Sequence, residues 1–297
     1  MNVVILGGTG IIGSQLLSDL SCLSQFHLIP LSSCDLDLYF NLEQLESRIV
    51  GLRPDIVINA VGFTNIDAIE NDKNKGFFLN CLFPHRLAEI CYRLSIQLVH
   101  FSSDNVFNGL KTDPYTEEDK LCPINYYGWT KAHADKVLLE SFCDNTVIFR
   151  ISGIYSYVRK NFFTSFLERL VKQNTVDVVN DIVVAPTPVN LVSKSITKLI
   201  YNNQISQMKG VYNLTPKGNT SWFDFAKMVI RSIKLENKSI LPISYGAYSS
   251  KVKRPQMCLL DSQKLESKTC ISLPTWEKAL QEFMSLDTVN LLVKHLI

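Results

Sequence analysis

A strand that runs straight into spaced glycines constrains this chain more than any other feature. The apolar segment Asn2-Val-Val-Ile-Leu6 leads into Gly7-Gly-Thr-Gly10-Ile-Ile-Gly13, so glycine stands at 7, 10 and 13 where a first strand turns into an apolar helix. A glycine-rich turn in that place lets backbone amides approach a pyrophosphate, and the positive end of the following helix favours its charge. The same glycines would also suit a tight turn on steric grounds alone.

Downstream, short apolar runs bounded by turn residues alternate with longer amphipathic stretches, the pattern of parallel strands joined by crossover helices. Strands are expected at Val3 to Leu6, His27 to Leu31, Ile56 to Asn59, Gln97 to Ser102 and Thr146 to Ile151, with helices beginning near Ile11, Leu42, Lys75 and Tyr126. Ile56-Val-Ile58 and Val147-Ile-Phe149 lack polar alternation, so both faces of the sheet should be covered. The fold class is α/β: a Rossmann-like doubly wound parallel sheet with a smaller C-terminal substrate-binding lobe. The dinucleotide-binding domain is placed at residues 1–155, with a return segment near 176–205, and the lobe mainly at 156–297. Helical patterns in the second half cover Phe162 to Val171, Val189 to Tyr201, Ser221 to Ile233 and Trp276 to Met284, with turns at Pro186, Pro188, Pro216 and Pro242. Ser221 and Asp224 can cap a helix start.

At 297 residues, with 46% hydrophobic and 20% charged, the chain has room for such a domain and lobe and is too apolar for disorder. The net charge of +2 is spread without a basic run, so nucleic acid is not expected as a partner. The eight cysteines show no CxxC pair and no zinc-type His spacing, which points to thiols in a reducing compartment and to no metal site. Met1 enters the first strand directly and no segment reaches bilayer-spanning length, so the expectation is a soluble, cytoplasmic protein without a membrane partner.

Chemistry gathers around the fourth strand. Ser103 follows it at the carboxyl edge, where open α/β sheets place ligands. Tyr127 and Lys131 sit four apart in Asn125-Tyr-Tyr-Gly-Trp-Thr-Lys131, after Pro123. On a helix they share a face, so the ammonium can lie beside the phenol and stabilise its ionised form. A hydroxyl, a proton donor and a cation at the cofactor end suit hydride reduction of a ketone. Alone, the Tyr and Lys could be a solvated helix pair, and Ser102 and Ser103 could serve turn formation and capping. For the adenine end, the second strand closes on Leu31-Ser32-Ser33 with neither the acid common in NAD sites nor the arginine common in NADP sites, so either NADPH or NADH is admitted as cofactor.

At these residues the chain resembles the extended short-chain dehydrogenase/reductases, and within them the dTDP-4-dehydrorhamnose reductase family. The likeness runs nearly end to end, through the glycine turn, Arg53-Pro-Asp-Ile-Val-Ile-Asn-Ala60, Thr64-Asn-Ile-Asp-Ala-Ile-Glu70, Ser102-Ser-Asp-Asn-Val-Phe-Asn-Gly109, Tyr127 to Lys131, Phe149-Arg150, Asn180-Asp181, Ala185-Pro-Thr187 and Arg254-Pro255. The resemblance implies that Gly7, Gly10, Ile11, Ile12 and Gly13 serve the pyrophosphate end and that Ser32, Asp37 and Leu38 serve the adenine end. It also implies that Ala60, Val61, Gly62 and Phe101 line the cofactor channel. Tyr127 is implied as proton donor, Ser103 as its partner on the substrate carbonyl, and Lys131 on the cofactor ribose. The implied substrate is a nucleotide-linked 4-keto-6-deoxy sugar of deoxysugar and polysaccharide biosynthesis, met by Asp104, Asn105, Gly153 and Arg254. Arg254 suits a diphosphate because a guanidinium fork matches its oxygens, and would equally make a surface salt bridge.

Family members are sometimes metal-bridged dimers, which makes a homodimer an expectation here, without a ligand cluster to support the metal. Two departures stand out. The family usually has Tyr where this chain has Asn105 and often Trp where it has Gly153. Losing both rings predicts a wider sugar pocket. An epimerase or dehydratase of the same superfamily, or a non-catalytic dinucleotide-binding regulatory subunit, are the alternative functions. Asp104 lacks the second acid typical of the dehydratases, and the intact Ser103, Tyr127 and Lys131 speak against the regulatory reading.

Overall fold

The computed structural model describes residues 1–32, 42–235, 237–247 and 252–296. The first half comprises β1 (Asn2–Leu6), α1 (Ile11–Ser21), β2 (His27–Leu31), α2 (Leu42–Leu52), β3 (Ile56–Asn59), α3 (Ile66–Asn71) and α4 (Lys73–Phe77). A π-helical turn at Phe78–Leu82 joins α4 to α5 (Phe83–Arg93), and β4 (Gln97–Ser103), α6 (Tyr126–Ser141) and β5 (Thr146–Ile151) follow. The second half begins with β6 (Ile154–Tyr155), α7 (Phe162–Lys172), β7 (Thr175–Val179), β8 (Val183–Val184), β9 (Thr187–Pro188), α8 (Val189–Tyr201) and β10 (Gly210–Asn213). It ends with β11 (Thr220–Ser221), α9 (Trp222–Ile233), β12 (Ser239–Ile243), α10 (Gln263–Lys268), α11 (Trp276–Met284) and α12 (Asp287–Leu296).

Six strands form one parallel sheet in the order β10-β5-β4-β3-β1-β2. After β2 the chain crosses back to place β3 on the other side of β1, so the order reverses between β1 and β3. That switch point opens a crevice at the carboxyl ends of the strands. All five strands expected from the sequence form, and β4 runs on to Ser103. The sixth, Gly210-Val-Tyr-Asn213, is too short to announce itself and is defined by its pairing with β5, Val211 opposite Ile148 and Asn213 opposite Arg150.

The side-chain period of two sorts the sheet into two cores. Val3, Ile5, Ile58, Val99, Phe101 and Phe149 face one way, under α1 and α8, where Leu16, Leu20, Val192 and Ile196 meet them. Val4, Leu6, Val57, Leu98 and Ile148 face the other, under α2, α5 and α6, against Leu45, Ile49, Phe83, Leu87 and Leu138. Apolar side chains on both faces explain the unbroken Val/Ile/Leu runs. A third core lies among α7, α9, α11 and α12, where Tyr155, Phe163, Phe225 and Phe283 are fully buried. Its rings meet edge to face, Tyr155 on Phe283 at 4.9 Å and Phe163 on Phe283 at 5.1 Å, an arrangement the ring quadrupole favours. Among the described residues no helix is long and apolar enough to cross a membrane.

One buried ion pair ties α6 to the sheet: Arg150 Nε on β5 donates to Asp135 Oδ2 at 2.9 Å, with side-chain exposures of 2% and 0%. The Arg150 guanidinium also lies 5.3 Å from the Phe107 ring centre, where the ring face attracts it. Removing one member strands the other charge in a site that excludes water. Asp135→Ala is expected to lower stability by about 3–5 kcal/mol in urea unfolding, and the double change Asp135→Leu with Arg150→Met by clearly less, since two apolar groups leave no orphan charge.

Candidate active site

The glycine turn is closed by its own backbone. Gly7 N donates to Leu31 O at 2.9 Å, and Gly10 N to Gly7 O at 2.8 Å. Gly7 has φ +79°, in the left-handed region, and a Cβ there would stand 2.8 Å from the Ala60 carbonyl oxygen. A Cβ on Gly13 would come within 2.3 Å of Gly7 O, so α1 packs onto the turn only because residue 13 has no side chain. Gly13 is thus buried beneath the turn and shapes it from below. Helix α1 has Gly10 at its N-cap, with no side-chain cap and no acidic residue in its first turn, which leaves its amides and positive end open to an anion. These features fit a dinucleotide pyrophosphate.

The strand next to β1 supplies the channel wall. Asn59 Oδ1 accepts from Val61 N at 3.1 Å while its amide meets His100 Nδ1 at 3.1 Å. Burial, then the Lys131 charge, pushes the His100 imidazole well below its ordinary value, so it is neutral. Asn80, inside the π-helical turn, accepts from Phe63 N at 2.8 Å and donates to Phe63 O and to Thr130 Oγ1, both at 3.0 Å. The bulge thereby fixes the loop carrying Ala60, Val61 and Gly62 against α6. π-turns often mark functional sites, and the sequence pattern gave no sign of this one.

Beyond β4 the chain turns through a short helical segment whose cap is Ser103. Its hydroxyl accepts from Asn105 N at 3.2 Å and donates to Asp104 Oδ1 at 2.8 Å. The other Asp104 oxygen accepts from Ser152 Oγ at 2.6 Å, and Asn105 Nδ2 donates to Oδ1 at 2.9 Å. Burial raises the Asp104 carboxyl, against the opposing effect of the hydrogen bonds from Ser152, Ser103 and Asn105. Ser152, just past the end of β5, is a member of this network that local sequence did not reveal.

Helix α6 approaches that turn at Gly128. A Cβ at 128 would lie 2.0 Å from the Asn105 carbonyl oxygen. Asn125 caps the helix by accepting from Gly128 N at 2.7 Å, and its amide donates to Asn105 Oδ1 at 3.2 Å and Lys253 O at 3.0 Å. The close approach places Tyr127, 8% exposed, beside Ser103 on the cleft wall. Lys131 Nζ donates to Phe101 O at 2.9 Å, and a Cβ on Gly62 would stand 3.5 Å from the same nitrogen.

The electrostatics differ from the sequence expectation. Burial pushes the Tyr127 phenol well above its ordinary value; the nearby Ser103 hydroxyl opposes this, and the Asp104 and Asp135 charges add to it. Lys131 bonds a backbone carbonyl rather than the phenol, and burial brings its ammonium down to about 8, with Asp135 and Cys81 opposing. The phenol therefore keeps its proton at neutral pH, and the ammonium is the group that titrates nearby.

A single cleft of about 860 Å³ is lined by Gly7, Gly10, Ile11, Ile12, Ala60, Val61, Gly62 and Phe101 along one stretch and by Ser103, Asp104, Asn105, Tyr127, Lys131, Gly153 and Arg254 along another. Ser32 follows β2, half-buried, and does not line it. Asp37 and Leu38 lie outside the described residues. Arg254 pairs with Asp67 of α3, Nη2 to Oδ2 at 2.9 Å, so the salt-bridge reading holds in a residue that also faces the cleft. Arg159, Phe162 and Trp222 line the cleft as well. They come from distant segments, so no local motif could have flagged them. A second hollow of about 620 Å³ beside Trp129 and Lys136 is lined by none of the candidate residues. Among the described residues no group of three or more His, Cys, Asp or Glu could hold a metal ion.

Known proteins share this layout. The family model described as RmlD substrate binding domain matches residues 1–289. The dTDP-4-dehydrorhamnose reductase of Shigella flexneri is 28% identical over 292 residues, 96% of this chain and 97% of that protein. The crystal structure of a dTDP-4-dehydrorhamnose reductase from Clostridium acetobutylicum superposes with a TM-score of 0.88 at 26% identity, covering 96% of this chain and 98% of the other. That of the Bacillus anthracis dTDP-4-dehydrorhamnose reductase, in complex with NADP, gives 0.87 at 27% identity over 95% and 98%.

Because Gly128 lets α6 reach Asn105, Gly128→Ala should push the helix away and separate Tyr127 from Ser103. The expected outcome is a loss of about 10²-fold in kcat for the ketone reduction proposed below, with NADPH affinity, read by fluorescence titration, within a few-fold of the parent.

Proposed function

This chain belongs to the RmlD substrate binding domain family, and from that membership we propose that it reduces the 4-keto group of a dTDP-linked 4-keto-6-deoxy hexose, of the dTDP-4-dehydrorhamnose type, with NADPH. The observation that carries this reading is the meeting of Ser103, Tyr127 and Lys131 in one cleft with the glycine turn. The near full-length likeness to reductases of that name supports the substrate, and the NADP complex of one of them favours NADPH over NADH. The substrate serves deoxysugar and polysaccharide biosynthesis.

In this reading Gly7, Gly10, Ile11 and Ile12 hold the pyrophosphate, Ala60, Val61, Gly62 and Phe101 flank the nicotinamide half, and Lys131 meets its ribose. The bound cofactor supplies the hydride. Tyr127 holds a proton on its phenolic oxygen and delivers it to the substrate oxygen, turning the ketone into a secondary alcohol. Ser103 positions that oxygen beside the phenol. In the structure its hydrogen is donated to Asp104, so donation to a carbonyl calls for rotation of the hydroxyl or for a proton on Asp104. Burial, which raises the Asp104 carboxyl, supports the second route. Arg254, released from or shared with Asp67, is the diphosphate contact, and Asn105 and Gly153 border the sugar.

The domain reading places cofactor binding mainly in residues 1–155 and sugar binding in the lobe built on α7, α9 and α11. It extends to a cytoplasmic homodimer. The cysteines described, all unpaired thiols, support the compartment, and the half-exposed Trp129 on the outer side of α6 gives apolar surface for a second copy.

Two measurements test the chemistry. With NADPH oxidation as the readout, Tyr127→Phe should cut kcat about 10²-fold or more while NADPH affinity stays within a few-fold; a near-normal rate would assign the proton to another group. Lys131 loses its charge as pH rises through about 8, so kcat/KM for NADPH, which reports the free enzyme, should be level below that pH and fall above it. Lys131→Arg, which keeps its charge, should remove that alkaline limb.

A further inference from the structure

Gly153 has φ +53°, a left-handed backbone that a side chain would strain, and Trp222 borders the space in front of it. A Cβ built there would meet Trp222 Cη2 at 3.5 Å. Trp222 opens α9, and its place is fixed from both sides: Ser221 caps the helix by accepting from Asp224 N at 3.0 Å, and β11 pairs with β8 through Ser221 and Val183. The indole stacks on Phe162 at 4.2 Å and 28°. Both rings are only partly buried and both line the cleft. The wider pocket expected from the missing ring at 153 is therefore bordered from the opposite lobe by an aromatic pair.

The pair also stands at a definite point along the cleft. Gly153 follows Ser152, whose hydroxyl is bonded to Asp104, which in turn accepts from Ser103. The indole edge against Gly153 is thus beside the reacting end, while the glycine turn and the Ala60–Gly62 strip take the cofactor. A 6-deoxy hexose offers apolar C–H faces and a methyl group to such a wall, whereas a diphosphate offers neither.

We propose that the Phe162–Trp222 pair is the apolar wall on which the C–H face of the 6-deoxy sugar packs, and that it sets specificity for that sugar. The proposal rests on the reductase reading for the identity of the ligand. Packing of this kind adds affinity for the sugar portion alone and leaves nucleotide and cofactor binding unchanged.

The test compares dTDP with a dTDP-6-deoxyhexose by isothermal titration, on the full-length protein and its Trp222→Ala, Trp222→Leu and Trp222→Phe variants. In Trp222→Ala the conjugate should weaken by roughly tenfold, with dTDP and NADPH each within about twofold of the parent and Trp222→Phe recovering most of the loss. Should Trp222→Ala not fold, Trp222→Leu, which keeps bulk without a ring, carries the same comparison. Unchanged conjugate affinity in the ring-free variant overturns the proposal, and so does an equal loss with dTDP alone, which would assign the rings to the base. A parent protein that binds the conjugate but does not reduce its 4-keto form would sink the reductase reading and leave this wall standing; one that binds neither would remove both.

Discussion

The seating of α6 on the sheet is the constraint on which the site depends. That helix carries Tyr127 and Lys131, and two contacts hold it. At its start the bare Cα of Gly128 rests against the Asn105 carbonyl, closer than any side chain would permit. One helical turn beyond Lys131, Asp135 is locked to Arg150 of β5 in a site that excludes water. The first contact sets how near the phenol comes to Ser103, and the second sets the rotation of the helix about its axis. A fully buried ion pair contributes little net stability, because desolvation consumes most of the attraction. Its effect here is positional: the charges have one low-energy arrangement, and the helix takes it.

Burial also decides the protonation states. A neutral imidazole at His100 lies behind the cleft, and on its wall stand a phenol that keeps its proton at Tyr127 and an ammonium brought down to about 8 at Lys131. Each follows from the cost of holding charge away from water. The arrangement suits a proton donor better than a standing phenolate. The hydrogen-bond chain from Ser152 through Asp104 to Ser103 ties the ends of β5 and β4 together, and α6 brings Tyr127 beside it.

Much of the fold was legible because parallel strands buried on both faces write themselves as continuous apolar runs. Val3 to Leu6, Ile56 to Asn59 and Thr146 to Ile151 were visible for that reason, as were the helices at Val189 to Tyr201 and Trp276 to Met284, whose apolar stripes face packed cores. β10 was not, since four residues hold no period and only the neighbouring strand defines them. The π-helical turn at Phe78–Leu82 was equally silent, because an apolar stretch reads alike in α and π geometry. In the site, residues bound to a motif could be named, whereas Ser152, Phe162 and Trp222 could not. They owe their positions to contacts made across 48 residues or more, as between Ser152 and Asp104, and single-sequence patterns carry no signal over that distance.

By itself the sequence determined the strand, turn and helix that open the chain, the parallel sheet, and the residue types gathered for reduction: glycines without side chains, a hydroxyl, a phenol and an amine. These follow from local sterics and periodicity, which act between near neighbours. Only the tertiary structure decided which group holds the proton, which carbonyl the amine meets, and which rings stand beside Gly153. Those outcomes depend on desolvation and on side chains brought together from both lobes, and such forces exist only once the chain has folded.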